Sequence, residues 1–216
     1  MRCAIAGVIA IVATGLPGCI YTSRPNAALE DPIRLQAKDA FVHGPSGVSF
    51  PERIGPFARS DLTQYDADGR NVSVGYDIRG GMFSMSATVY VYPGESVGSF
   101  LADGDQVAEW TERVKRRELE SNKAAIREGH AKDGMEEVFE DVVTVESRGG
   151  RHRGTKTSWD FTNALGTPGL RGTTHLYLFM GVGGEWIVKF RITHPRGIDV
   201  TKPTDTLFRG LAWPGE

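Results

Sequence analysis

Alternation of apolar and polar positions predicts β-strands over much of the chain after residue 56. Val72, Val74, Tyr76 and Ile78, for example, recur at every second position, as in a strand with one buried face. The predicted strands are residues 57–65, 72–78, 83–91, 138–147, 155–162, 173–180 and 186–193. Short glycine-containing loops between the last four favour antiparallel hairpins, because parallel crossovers need longer connections. The pattern therefore predicts a mostly antiparallel sheet of about seven strands.

The segment between the third and fourth predicted strands has a different hydrophobic period. Apolar residues there recur at about 100° per residue, which is typical of an amphipathic helix. They are Phe100, Val107, Trp110, Val114 and Ala125. Near the end of the chain, Pro203 can open a short C-terminal helix that carries Leu207 and Phe208. We therefore expect one long helix after strand three and a short helix at the C-terminus.

This order of elements gives an α+β fold class in which helices pack against an antiparallel sheet. The order resembles the Mog1/PsbP-like fold, a sandwich that also occurs in small bacterial envelope lipoproteins. The resemblance covers residues 45–214 and rests on element order, without a diagnostic motif. It implies a non-enzymatic binding or assembly factor, as an analogy of fold.

The N-terminal residues predict an export signal. An uncharged stretch from Ala4 to Leu16 follows Arg2, and it is shorter than the approximately 20 residues that span a bilayer. Leu16-Pro17-Gly18-Cys19 resembles the lipobox of bacterial lipoproteins. The resemblance implies that Cys19 becomes the lipidated first residue of the mature protein. An ordinary secretory signal with an incidental cysteine, or a start codon assigned too early, are the alternatives.

Three segments follow from this interpretation. Residues 1–18 are the predicted lipoprotein signal peptide, 19–38 the lipidated N-terminus with a flexible tether, and 39–216 a single globular α+β domain. The predicted location is the bacterial cell envelope, with the lipid at Cys19 in the membrane. In the lipoproteins that this N-terminus resembles, a residue other than Asp after the cysteine permits transfer to the outer membrane. With Ile20 at that position, the resemblance implies the periplasmic face of the outer membrane if the source has two membranes.

Composition narrows the classes of partner and cofactor. Twenty-five Lys plus Arg against 27 Asp plus Glu give a net charge of −2, which disfavours nucleic acid as a partner. The two cysteines, Cys3 and Cys19, both precede the predicted domain, so the domain has neither a disulfide framework nor a thiolate metal cage. The histidines are scattered in sequence, and we predict no metal or cofactor site.

One motif supports an enzymatic alternative. Gly94-Glu95-Ser96-Val97-Gly98 has the Gly-x-Ser-x-Gly form of a hydrolase nucleophile elbow. Aspartates and histidines follow it in hydrolase order: Asp141, Asp160, His175 and His194. However, a chain with 27 glycines carries this motif by chance in roughly one case in five, and the elbow needs a parallel sheet. A lipid-tethered serine hydrolase using Ser96 therefore stays the alternative, and no catalytic residue is assigned.

A basic hairpin is the remaining candidate for a binding surface. Five residues carry it: Arg148, Arg151, His152, Arg153 and Lys156. Such a cluster can contact anionic lipid or an acidic envelope protein, although a solvated hairpin tip is the simpler interpretation. The sequence as a whole predicts a membrane-anchored envelope lipoprotein whose domain binds or scaffolds an unidentified partner. A ligand carrier, with an apolar cavity between sheet and helix, is a third possibility, and the sequence itself says nothing about cavities.

Overall fold

A computed structural model describes residues 28–80, 83–95 and 104–215. The first strands are β1 (Ala28–Arg34), β2 (Phe41–Val42), β3 (Ser49–Phe50), β4 (Arg53–Ile54), β5 (Phe57–Asp66), β6 (Val72–Ile78) and β7 (Met85–Pro93). Helix α1 (Gly104–Gly129) comes next. The remaining elements are β8 (Glu136–Glu146), β9 (Arg151–Phe161), a 3₁₀ turn (Ala164–Gly166), β10 (Gly172–Val182), β11 (Trp186–Pro195) and helix α2 (Thr201–Gly210).

Nine of the described strands form one antiparallel sheet. Its order is β1-β5-β6-β7-β11-β10-β9-β8, with β4 also paired to β5. Strands β2 and β3 pair only with each other. The two halves of the large sheet meet at the β7–β11 ladder, which runs from the Ser86–Thr193 pair to the Pro93–Trp186 pair.

The predicted fold class is wrong in the number of strands and in the position of the long helix. The described chain has eleven strands, and α1 follows the seventh of them, not the third. Strands β2, β3 and β4 have two residues each, which is too short to show alternation. Strand β1 lies within the predicted tether and contains Pro32, which is typical of an edge strand. The element order behind the Mog1/PsbP-like resemblance is therefore not the order of this chain.

The larger core lies on the sheet face that α2 covers. Inward residues of β6, β7 and β11 meet Leu207 and Phe208 of α2 there. The ring centre of Trp213 lies 5.0 Å from that of Phe179 and 5.4 Å from that of Phe190. Its indole Nε1 donates to the carbonyl of Phe208 at 3.0 Å. The tryptophan thus joins the C-terminal segment to the centre of the sheet.

Helix α1 packs on the opposite face through a smaller apolar cluster of Ile126, Trp159 and Leu176. A polar layer surrounds this cluster. The half-buried Lys189 ammonium donates to Asn122 Oδ1 at 2.8 Å and lies 3.9 Å from the ring centre of Tyr90. Burial lowers the pKa of Lys189 to about 8. Neither described helix has the length and apolar character needed to cross a membrane.

Candidate functional site

A cleft of about 800 Å³ opens at one end of the large sheet. The end of β6, the start of β7, the loop after β9 and the segment after β11 meet there. Its apolar lining consists of Ile78, Met85, Leu165, Leu170, Pro195 and Ile198. Its polar lining consists of Asp77, Arg79, Ser84, Ser86, Thr167 and Arg196. This volume lies in the range of roughly 300–1,000 Å³ that small-molecule sites occupy.

The loop after β9 shapes one wall of the cleft through unusual backbone geometry. Asn163 and Leu165 have positive φ values of 63° and 53°. A leucine in the left-handed region costs of order 1–3 kcal/mol. Hydrogen bonds close the loop around it, because Ala164 N donates to Leu170 O at 3.0 Å and Gly169 N donates to Asn163 Oδ1 at 2.9 Å. The fold thus holds Leu165 in the cleft wall against a local conformational preference.

Two arginines place positive charge beside this apolar lining. The side chain of Arg79 is 83% exposed and pairs with Asp77 at 3.2 Å. Arg196 Nε lies 3.0 Å from Asp160 Oδ2. A guanidinium has five N–H donors, so each arginine keeps donors beyond its present partner. An apolar cleft with guanidinium groups at its margin is suited to an amphiphilic molecule with an anionic end.

A buried network of one serine and two histidines reaches the wall of the cleft. Ser158 Oγ lies 2.7 Å from His175 Nδ1, and His175 Nε2 lies 2.9 Å from His194 Nε2. His194 Nδ1 lies 2.9 Å from the carbonyl oxygen of Pro195, which lines the cleft. We call Ser158, His175 and His194 the Ser–His–His network. It crosses strands β9, β10 and β11.

The carbonyl fixes the direction of every hydrogen bond in this network. A carbonyl oxygen only accepts, so His194 donates from Nδ1 and, when neutral, accepts at Nε2. His175 must then donate from Nε2 and accept at Nδ1, which leaves the Ser158 hydroxyl as its donor. Burial lowers the pKa of His175 to about 3 and also lowers the pKa of His194. Both imidazoles are therefore neutral near pH 7.

The network has the atoms of a serine–base pair but is closed to solvent. Ser158 is 4% exposed, His175 8% and His194 4%. Ser158 and His175 do not line the cleft described above. The geometry therefore favours a structural role, in which the network fixes the register of three strands.

The residues of the hydrolase alternative are only partly within the described chain. Ser96, the nucleophile of that alternative, lies outside the described residues, and so does the predicted lipid site Cys19. Glu95 forms an ion pair with Arg117 of α1. Asp160 accepts from the Thr173 hydroxyl at 2.7 Å. Asp141 lies on the distant strand β8.

The residues of the basic hairpin have different surroundings in the structure. Arg148 Nε donates to the carbonyl of Arg209 at 3.2 Å, and the His152 ring stacks on Trp213 at 4.3 Å. Arg153 instead lines a groove against α1. Arg151 is exposed at the start of β9.

Lys156, the last residue of this set, points toward aromatic rings. Its ammonium lies 5.2 Å from the ring centre of Tyr177 and 5.9 Å from that of Phe139. Burial lowers the pKa of Lys156. The five residues do not share one face, and the anionic contact surface stays a prediction.

Sequence reasoning missed both the cleft and the pairing of His175 with His194. The register of the β10–β11 hairpin could have predicted this pairing of the two histidines. It pairs Thr173 with His194 and so brings His175, two residues further on, within reach of His194. Within the described residues, no group of three or more His, Cys, Asp or Glu side chains could hold a metal ion. No protein-family model matches the chain, and no curated protein matches it.

Proposed function

We propose that the chain is a lipid-anchored protein of the bacterial cell envelope whose domain binds a small amphiphilic ligand without transforming it. The cleft at the end of the sheet carries this proposal. Its apolar walls suit a hydrocarbon portion, and Arg79 and Arg196 suit an anionic head group such as a carboxylate or phosphate. Leu16-Pro17-Gly18-Cys19 supports the anchor. The serine hydrolase based on Ser96 remains the alternative expectation from sequence.

Filling the cleft should weaken ligand binding. We expect the Ile198→Trp variant to lose affinity for a fluorescent long-chain fatty acid by at least about tenfold, because the indole occupies the apolar part of the site. Ile33→Trp is the matched control, since Ile33 is 46% exposed on β1 and does not line the cleft. Fluorescence titration measures both. Equal affinity in the two variants would contradict the proposed site.

The anionic end of the ligand is tested separately. The Arg196→Gln variant should weaken binding of the fatty acid by about tenfold and leave binding of the corresponding fatty alcohol unchanged, because only the carboxylate uses the guanidinium. Arg209→Gln is the control, at an arginine that pairs with Glu146 away from the cleft. The same loss for acid and alcohol would show that Arg196 does not select the head group.

The membrane anchor should depend on one thiol. In the bacterial host, the Cys19→Ser variant is expected to leave the membrane fraction and to lack the mass of the acyl chains. Lipid attachment requires the Cys19 thiol, and the buried acyl chains are what would hold the protein at the membrane. Cys3→Ser, within the predicted signal, should behave as the original chain. Membrane fractionation and intact-mass measurement test this, and an unmodified Cys19 in the original protein would disprove the anchor.

A further inference from the structure

Strand β8 (Glu136–Glu146) forms one edge of the large sheet. It pairs with β9 along one side, and no other described strand pairs with its outer side. An edge strand presents unpaired N–H and C=O groups, which can hydrogen-bond to a further strand. With 11 residues, β8 is long enough to accept an extended segment of another chain.

The opposite edge of the sheet is less open to such pairing. Strand β1 contains Pro32, and its register shifts between Ala28 and Ile33. Proline lacks an N–H donor and interrupts a ladder. Strand β8 has no proline, and the charged side chains along it are all acidic, so a basic partner strand meets no like charge there. Its one irregularity is a register shift between Glu137 and Phe139.

Exposed apolar side chains accompany the free edge of β8. Val138 is 51% exposed, Phe139 46% and Val142 53%. Val142 also forms part of a groove of about 590 Å³ between β8–β10 and α1. Leu119 and Met180 contribute further apolar surface to that groove. An added strand would thus find side-chain contacts as well as main-chain partners, which is how strand addition gains specificity.

The charge of β8 indicates what kind of strand would pair with it. The strand has five acidic residues and no basic one. Three of these carboxylates, on Glu137, Glu140 and Glu146, pair with Lys123, Arg127 and Arg209. Glu136 and Asp141 have no ion-pair partner among the described residues. A second copy of β8 would bring carboxylates against carboxylates, whereas a basic segment would neutralise them.

We propose that β8 binds an extended, lysine- or arginine-bearing segment of a partner protein as an additional strand of the sheet. This goes beyond the ligand cleft and depends on different residues. Asp141 Oδ1 accepts a hydrogen bond from Val142 N at 2.7 Å, so in the free protein this carboxylate is the hydrogen-bond partner of one amide of β8. A basic side chain beside Asp141 draws the carboxylate away, and the amide then donates to the carbonyl of the incoming strand.

Two fluorescent peptides test the proposal on the full-length chain. Each has about nine residues, with valine alternating with lysine in one and with glutamate in the other. We expect the lysine peptide to bind at least about tenfold more tightly by fluorescence anisotropy and to slow hydrogen exchange within residues 136–146. Equal affinity for both peptides, or slowed exchange elsewhere in place of β8, would overturn the proposal.

Charge reversal in the protein supplies the matched control. The Glu136→Lys, Asp141→Lys double variant replaces two exposed carboxylates of β8 with ammonium groups. It should therefore reverse the preference between the two peptides. Glu30→Lys with Asp31→Lys makes the same change on β1 and should leave the preference unaltered. Reversal by the β1 pair would overturn the proposal. Sedimentation that shows self-association through β8, blocked by the lysine pair on that strand, would also overturn it.

Discussion

Replacing Gly154 with alanine should lower the free energy of unfolding by about 1–3 kcal/mol, one of the two largest effects that we expect. A β-carbon at this position would lie 2.5 Å from Cδ1 of Phe179 and closer still to the carbonyl oxygen of Leu178. The phenylalanine is fully buried and the carbonyl belongs to the neighbouring strand, so neither can move cheaply. Valine at this position should cost more.

The same hairpin offers a matched control for this substitution. A β-carbon on Gly150 meets no atom within 4 Å, and Gly150 does not have a positive φ. We therefore expect Gly150→Ala to change stability by less than about 0.5 kcal/mol. Urea unfolding of both variants gives the comparison. Similar midpoints for the two alanine variants would show that the sheet does not pack closely at Gly154.

Acidification should destabilise the fold through the Ser–His–His network, and this is the second large effect. The pKa of His175 is about 3 in the folded protein, against an ordinary value of 6.5 in the unfolded chain. Below pH 6.5 the unfolded chain therefore binds a proton that the folded protein does not. The stabilisation is complete above pH 6.5 and is lost as the pH falls toward 3, at up to about 1.4 kcal/mol per pH unit for this histidine.

The geometry of the network adds to this effect. The two Nε2 atoms are 2.9 Å apart, and a single proton lies between them. If both imidazoles were charged, two N–H groups would face each other at that distance. Burial also lowers the pKa values of His194 and His43, so these two residues contribute in the same direction.

Urea unfolding between pH 7.5 and 5.5 tests the network, since most carboxylates stay ionised in this range. The His175→Gln variant should show a weaker loss of stability on acidification than the original protein. His152→Gln, at a histidine that stacks on Trp213 outside the network, should keep the original slope. The same slope in all three proteins would exclude the network as the source of acid sensitivity.

The alternation of side chains predicts strands where they are long enough to show it. Val72–Ile78 has strict alternation, and the structure has β6 there. The short strands β2, β3 and β4 carry no such pattern, because two residues are too few to show alternation. The number of strands and the position of α1 in the strand order were therefore beyond this reasoning.

The candidate cleft was still less accessible to sequence reasoning. Its lining comes from four separate segments, and its wall depends on the positive φ of Leu165, a residue that favours other conformations. Likewise, Lys156 belongs to a basic cluster of the kind that forms surface contacts, but in the structure it lies against Tyr177 and is half-buried. Composition gives the charge of a residue; the register of the strands decides which face presents it.

The β7–β11 ladder also bears on how the protein reaches its final form. Pro93 pairs with Trp186, so the seam between the two halves of the sheet closes only after nearly the entire polypeptide is present. Pairings between remote segments slow folding, because the intervening loop must first be closed. A polypeptide that emerges N-terminus first thus cannot complete its sheet midway. The order of synthesis itself therefore postpones compaction of the sheet until β11 is present.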